Sequence, residues 1–236
     1  MLSTGTYDFP GGEVLLVDKP AEWTSFDVVN KIRHMLRHHL GIKKIKVGHA
    51  GTLDPLATGL LLICVGKATK RINEFTGLDK EYTGTFFIGA TTPSYDRETE
   101  TDQLYETSHI GPDQIIDATK QFLGDIVQIP PVFSALKVDG TRAYIRARKN
   151  EDVTMPPREV HIHEFEITHA AIPETSFRVL CSKGTYIRSL AYDFGKSLKS
   201  GAYIQNLRRT RIGNFRIEDA VSIPDLEEII IRQIDK

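Results

Sequence analysis

The sequence predicts an α+β fold built on a mixed, largely antiparallel β-sheet. Stretches such as Tyr82 to Ala90 and Phe177 to Cys181 alternate apolar and polar residues at period two, as half-buried strands do. Other segments repeat apolar residues at helical spacing, with start and stop residues around them. The two kinds are interspersed without the strand–helix–strand rhythm of a parallel sheet. No repeat, low-complexity segment or Pro/Gly/Ser linker divides the 236 residues, so one domain is expected over residues 1–236, with a core at about 12–220.

The elements follow in order. Val14 to Val17 forms a short apolar strand. In TSFDVVNKIRHMLRHHLG, Thr24 stands three residues before Asp27, a capping-box spacing, and Gly41 closes the pattern. This helix is expected to bury Val28, Ile32, Met35 and Leu36 and to leave Lys31, Arg33, Arg37 and His38 mostly free to face a partner. PDQIIDATKQFLG begins with Pro112 and ends with Gly124, the usual punctuation of a helix. In VHIHEFEI the apolar positions 160 and 162 fall out of phase with 165 and 167, which predicts a β-bulge or a sheet edge. TYIRSLAYDFGKSLKSG reads as a further helix with Gly201 as its terminator.

Composition narrows the function classes. The longest purely apolar run, Leu60 to Val65, is six residues, far too short to cross a bilayer. MLSTGTYDFPGGEVLL lacks a basic n-region followed by an apolar h-region, so no secretory signal is expected. The two cysteines, Cys64 and Cys181, form no CxxC or Cys/His cluster, which argues against zinc and against a disulfide framework. A reducing cytoplasm is the expected location.

The net charge of −1 hides a segregation along the chain. Residues 28–53 carry six Lys or Arg, four His and no acid, and residues 183–216 carry eight Lys or Arg against Asp193 alone. Residues 96–117 and 218–236 are acidic. Two basic blocks in a neutral protein fit a localised polyanion footprint, and they fit two solvated helix faces equally.

Several tempting motifs fail. GLLLICVGKAT has six residues between Gly59 and Gly66 and Ala68 after Lys67, so it is not a phosphate-binding loop. His34 and His38 lie one helical turn apart, but the surroundings are cationic and no carboxylate or thiol completes a metal site. His161 and His163 would share one strand face, which is more often structural than ligating. GHAGTLDPLATG, residues 48–59, leaves two readings open for Asp54. Asp followed by Pro between small residues starts a turn. A carboxylate with no second acid between Asp27 and Glu74 also suits lone nucleophilic or electrostatic work, and Arg188 in KGTYIRS offers a cation for it.

DKPAEWTSFDVVNKIR, KVGHAGTLDPLATGLLLICVGKATK, KEYTGTFFIGA, QIPPVFSALKVDGTRAYIRAR, SKGTYIRSLA and LRRTRIGNF together resemble the TruB-type tRNA pseudouridine synthases, in order and rough spacing, over about residues 12–220. The resemblance implies the pseudouridine synthase fold and isomerisation of uridine 55 in the tRNA T loop, without metal or organic cofactor. It places Asp54 at the catalytic aspartate, Arg188 at the arginine that pairs with it, and Tyr82 at the tyrosine that stacks on the target uracil. His49 matches a histidine that helps dislodge T-loop bases, and Leu207 a leucine lining the pocket. Lys19 and Lys70 match lysines near the site, with structural or phosphate-directed roles. Lys43, Lys44 and Lys46, just before GHAG, are expected to face the RNA backbone.

A monomer acting on the T arm is expected. The competing function is a tRNA-binding folding factor that opens the elbow without turnover, motivated by the basic helix 24–40. Two departures from the family pattern stand out: Glu22 where Gly is usual, before the basic helix, and Phe133 where Tyr is usual. Many relatives continue into a C-terminal PUA-type domain. Here the sequence predicts none, and the acidic segment 218–236 would repel phosphate rather than replace it.

Overall fold

The computed structural model describes residues 7–149 and 151–233. It divides into two compact units, one made of the chain up to Tyr82 together with the segment from Arg208 onward, the other of Thr83–Leu207.

The first unit opens with β1 (Glu13–Lys19), α1 (Ser25–Leu40), β2 (Val47–Ala50) and β3 (Thr58–Val65). A 3₁₀ turn over Gly66–Arg71 and the short α2 (Ile72–Thr76) lead into β4 (Lys80–Ile88), which runs on into the second unit. β3 pairs antiparallel with β1, from Glu13 opposite Val65 to Lys19 opposite Gly59, and antiparallel with β2. The six-residue apolar run is therefore a strand buried on both faces, and its alternation divides the core. Leu61, Ile63 and Val65 pack with Val28, Ile32, Met35 and Leu36 of α1, whereas Leu60, Leu62 and Cys64 pack with Ala50 and Phe75. α1 starts and ends as its sequence predicts. Thr24 and Asp27 form the reciprocal capping box, and Gly41 takes the left-handed cap at φ 65°.

In the second unit β5 (Ala90–Thr91) pairs with β6 (Gln103–Leu104), followed by α3 (Pro112–Ala118) and β7 (Gly124–Gln128). The Pro112–Gly124 helix is shorter than its sequence suggests, because after Ala118 the chain tightens into a 3₁₀ turn over Thr119–Phe122. β8 (Lys137–Val138) and β9 (Thr141–Arg142) form a small hairpin ahead of α4 (Ala143–Ala147). β10 (Arg158–His169) pairs antiparallel with both β7 and β11 (Glu174–Cys181). The register slips between Ile162 and Glu164, the bulge that the phase change in VHIHEFEI predicts. Phe86 stacks on Phe177 at 4.0 Å, and Phe194, Phe165 and Phe122 close an aromatic core around them.

α5 (Ile187–Ser197) corrects one expectation: Gly201 does not terminate it. The helix ends at Leu198, and Lys199 takes the left-handed residue at φ 55°. Gly201 is small for another reason, since a Cβ there would stand 2.5 Å from the Tyr105 ring. β12 (Ala202–Ile212) carries the chain back to the first unit, where Arg208 and Arg209 pair in parallel with Thr58 and Gly59 of β3. β13 (Phe215–Arg216) turns back on β12, and α6 (Ile223–Ile231) buries Ile223, Leu226 and Ile230 in the core that also takes α1. The sheet is thus mixed and mainly antiparallel, as expected.

α6 also changes the reading of the basic helix. Glu227 accepts from Lys31 at 2.8 Å and contacts His39 at 3.0 Å, and these two partners hold its carboxyl below the usual glutamate range. Arg33 donates to Asn30 and to the Val47 carbonyl. Of the four side chains expected to stay free for a partner, Lys31 and Arg33 are engaged, while Arg37 and His38 are exposed. No helix among the described residues is long and apolar enough to cross a membrane.

Candidate active site

Asp54 occupies the first position of a β-turn with Pro55 second, closed by Ala57 N–H donating to Asp54 O at 3.1 Å. Both residue types suit those positions, Asp through its short side chain and Pro through its fixed φ. Asp54 itself is half-buried, and the loop around it is held by three buried polar side chains. Ser25, at the start of α1, accepts from Leu53 N–H at 2.9 Å and donates to Leu53 O at 3.2 Å. Lys19, fully buried, donates its ammonium to the carbonyls of Pro20, Trp23 and Pro55 at 2.8, 2.6 and 3.1 Å. Arg209, 1% exposed, donates to the carbonyls of Leu60, Thr52 and Gly51 at 2.8, 3.3 and 3.1 Å.

These cations shape the local electrostatics. Burial pulls the Lys19 ammonium down to about 8, the Asp54 charge opposing that fall and Arg209 adding to it. His49, on β2, is likewise held below the ordinary histidine value by burial and by Arg209, so its imidazole is neutral at pH 7. Tyr82, on β4, is almost wholly buried. Lys43, Lys44, Lys46 and Lys70 are exposed and form no ion pair with a described residue.

Glu22 sits at φ 67°, a left-handed conformation that favours glycine, and its N–H donates to Pro55 O at 2.8 Å. The departure at this position therefore leaves the turn in place at the expense of a strained residue. It is also part of the grip on the Asp54 loop.

In the second unit Arg188 lies in the first turn of α5 and is 3% exposed. Its guanidinium donates to the carbonyls of Ser94 at 3.1 Å and Phe133 at 2.9 Å, and its Nε lies 3.6 Å from the Asp96 carboxylate. Asp96 is itself buried and ties its loop together, accepting at its side chain from Glu98 N–H and at its carbonyl from Thr92. Because Phe133 contributes its carbonyl to Arg188, the missing hydroxyl of the usual tyrosine does not affect this contact. Leu207, on β12, is buried.

The structure thus gathers Lys19 and Asp54 within the first unit, with His49 under the same buried Arg209, and sets Arg188 and Leu207 in the second. It adds Ser25, Arg209 and Asp96, which sequence reasoning missed. Arg209 and Arg188 were counted in a basic block, and their burial removes them from any exposed footprint. Arg208 and Arg211 of that block are engaged as well, by Asp18 and Glu81. Spacing alone carried no signal for Arg209, because its partners lie more than 140 residues away.

Residues 37–187 match the model of the TruB family pseudouridylate synthase N-terminal domain, and residues 188–236 that of a tRNA pseudouridylate synthase B C-terminal domain. The chain belongs to the TruB family of pseudouridylate synthases. It is 59% identical to the tRNA pseudouridine synthase B of Flavobacterium johnsoniae over 92% of this chain and 95% of that one. It is 55% identical to its namesake in Phocaeicola vulgatus over 96% of each. Among solved structures, a chain of a Cbf5-Nop10-Gar1 complex is 28% identical at a TM-score of 0.71, covering 95% of this chain. A chain of an H/ACA RNP bound to a substrate RNA containing 2'-deoxyuridine is 28% identical at a TM-score of 0.68, covering 93%. This TruB-family chain spans only 59% and 53% of those two solved chains. The Asp54 turn, Tyr82 and the Phe133 and Arg188 segments all fall inside the matched regions.

Proposed function

We propose that this TruB-family enzyme converts uridine 55 in the T loop of tRNA to pseudouridine, with Asp54 as the carboxylate that acts on the ribose. The observation that carries the reading is the Asp54 turn itself, a half-buried acid on a loop whose backbone is gripped by buried cations, in a chain of this family. The bacterial relatives that it matches are named for tRNA, and the T arm is the expected contact.

The reaction breaks the N1 glycosidic bond, turns the uracil and rejoins it through C5, so the base must first leave its stack at a cost of a few kcal/mol. Stacking on Tyr82 offsets about 1 to 3 kcal/mol of that. Ionised Asp54 then attacks C1′ or takes a 2′ proton, and either route breaks the N1 bond and frees the uracil anion. C5 then bonds to C1′ as the Asp54 carboxylate is displaced or as the proton returns to C2′, and the C5 proton is lost. Arg188 would favour the charged carboxylate, as an adjacent guanidinium does. Neutral His49 and the wall from Leu207 suit displaced bases. The exposed Lys43, Lys44, Lys46 and Lys70, each without a carboxylate partner among the described residues, are better candidates for phosphate than the engaged Lys31 of α1.

The deciding experiment incubates the protein with excess T-arm minihelix and maps pseudouridine. Many product equivalents are expected from the parent and none from Asp54→Asn. Stoichiometric binding without turnover would instead make the protein a tRNA folding factor. Replacing Lys43, Lys44 and Lys46 together with Ala should lower the salt dependence of binding.

A further inference from the structure

We infer that Arg209 is a positioning residue for the reaction: its guanidinium straps the two limbs of the loop that carries Asp54 and supplies a fixed positive charge beneath it. The inference rests on the reading of Asp54 as the reacting carboxylate.

Three observations meet at this side chain. First, its bonds span the loop. Nε donates to Leu60 O, behind Asp54 in the chain, while Nη1 and Nη2 donate to Thr52 O and Gly51 O, ahead of it. A planar fork with five N–H donors can hold carbonyls from both limbs of a loop at once, which a lysine cannot do with the same geometry. Second, Arg209 is buried to 1% exposure, yet it makes no ion pair with any described residue. Its charge is met by carbonyl dipoles, which neutralise it only in part, so a positive field remains in the low-dielectric interior. That field reaches the site, since Arg209 helps hold both Lys19 and His49 below their usual values. Third, its backbone is fixed against the loop. Gly59 has φ 105°, and a Cβ there would stand 2.3 Å from Arg209 O. The close approach of these two strands keeps the guanidinium under the turn.

A buried cation is a costly way to join two carbonyl-bearing limbs if stability alone is served, because apolar side chains of similar volume are often neutral or better. A fixed charge under a turn that presents a carboxylate has a chemical use, since it favours the ionised form and costs no reorganisation during the reaction. The charged and titratable groups around the loop are Lys19 and Asp18 of β1, Asp27 of α1, His49 of β2, the buried Lys80 of β4, whose side chain flanks Gly51, and Arg209 of β12. Of the nitrogen bases in this set, the guanidinium of Arg209 holds its proton most tightly.

The test compares Arg209→Lys, which keeps the charge and loses the fork, with Arg209→Gln, which loses the charge. Single-turnover rates on a T-arm minihelix are measured across pH beside binding, thermal melting and an Asp54→Asn control. For Arg209→Lys the expected result is a rate at least ten-fold lower with the RNA Kd within two-fold. For Arg209→Gln the acid limb of the pH–rate profile should also move to higher pH, a shift that Arg209→Lys should not show. Rates within two-fold of the parent, losses matched by the unfolded fraction, or failure of both variants to fold would each assign Arg209 to the fold alone and overturn the inference. An active Asp54→Asn would instead bring down the reading of Asp54 on which the inference rests.

Discussion

The two units hold their charged groups in opposite ways. In the first, the acid sits on a turn whose backbone is gripped, with Lys19 and Arg209 binding the carbonyls of the turn and of its flanks. In the second, the functional cation is the gripped group, with Arg188 held by two loop carbonyls and close to Asp96. The contrast follows from donor chemistry. A carboxylate has only acceptors and must keep an oxygen for the substrate, so it is best fixed through its backbone, whereas a guanidinium has donors to spare.

The comparison can be broken first at Arg188. Arg188→Met should lower stability in urea denaturation by about 3 to 5 kcal/mol, because it withdraws the guanidinium from buried Asp96 and from two carbonyls. Asp54→Asn should change stability by less than about 1 kcal/mol, since the turn is held from below. Equal losses would mean that the acid is as much a structural group as the arginine.

The two buried cations that bind the Asp54 loop, Lys19 and Arg209, are separated by pH. Lys19 binds its proton less tightly in the folded state, losing it near pH 8, than in the unfolded chain, where the ordinary value is near 10.5. Between those values the unfolded chain holds more protons, so stability should rise with pH across that window, by order of 1 kcal/mol per pH unit. Lys19→Met should flatten that rise. Turnover should move the other way, declining above about pH 8 as Lys19 loses the charge beneath Asp54. Parallel stability and turnover profiles would show that the charge of Lys19 has no part in the reaction.

The smallest effect is expected at Glu22. Glu22→Gly relieves a left-handed residue but loosens the unfolded chain, for a net gain of about 0.5 to 1 kcal/mol in thermal denaturation. A loss of stability would mean that the glutamate side chain contributes more than its backbone strain removes.

Much of this was legible along the chain because the deciding forces act over a few residues. The Thr24–Asp27 box, the Gly41 cap, the out-of-phase apolar residues of β10 and the Asp54–Pro55 turn are each specified by near neighbours. Gly201 misled because a glycine near the end of a helical pattern has two uses, and its close contact with Tyr105 comes from far along the chain. The basic blocks misled more deeply. Composition counts charges, but it cannot tell Lys43 on the surface from Arg209 in the interior.

The sequence by itself determined the α+β class, most of the elements, the family motifs and the turn that presents Asp54. Tertiary structure alone decided which cations lie inside, that Asp96 stands beside Arg188, and that Arg209 reaches Gly51 across 158 positions. The physical reason is desolvation. A charged side chain favours water until folding brings it enough carbonyls or a counter-charge, and those partners are gathered by the sheet rather than by adjacency in the chain.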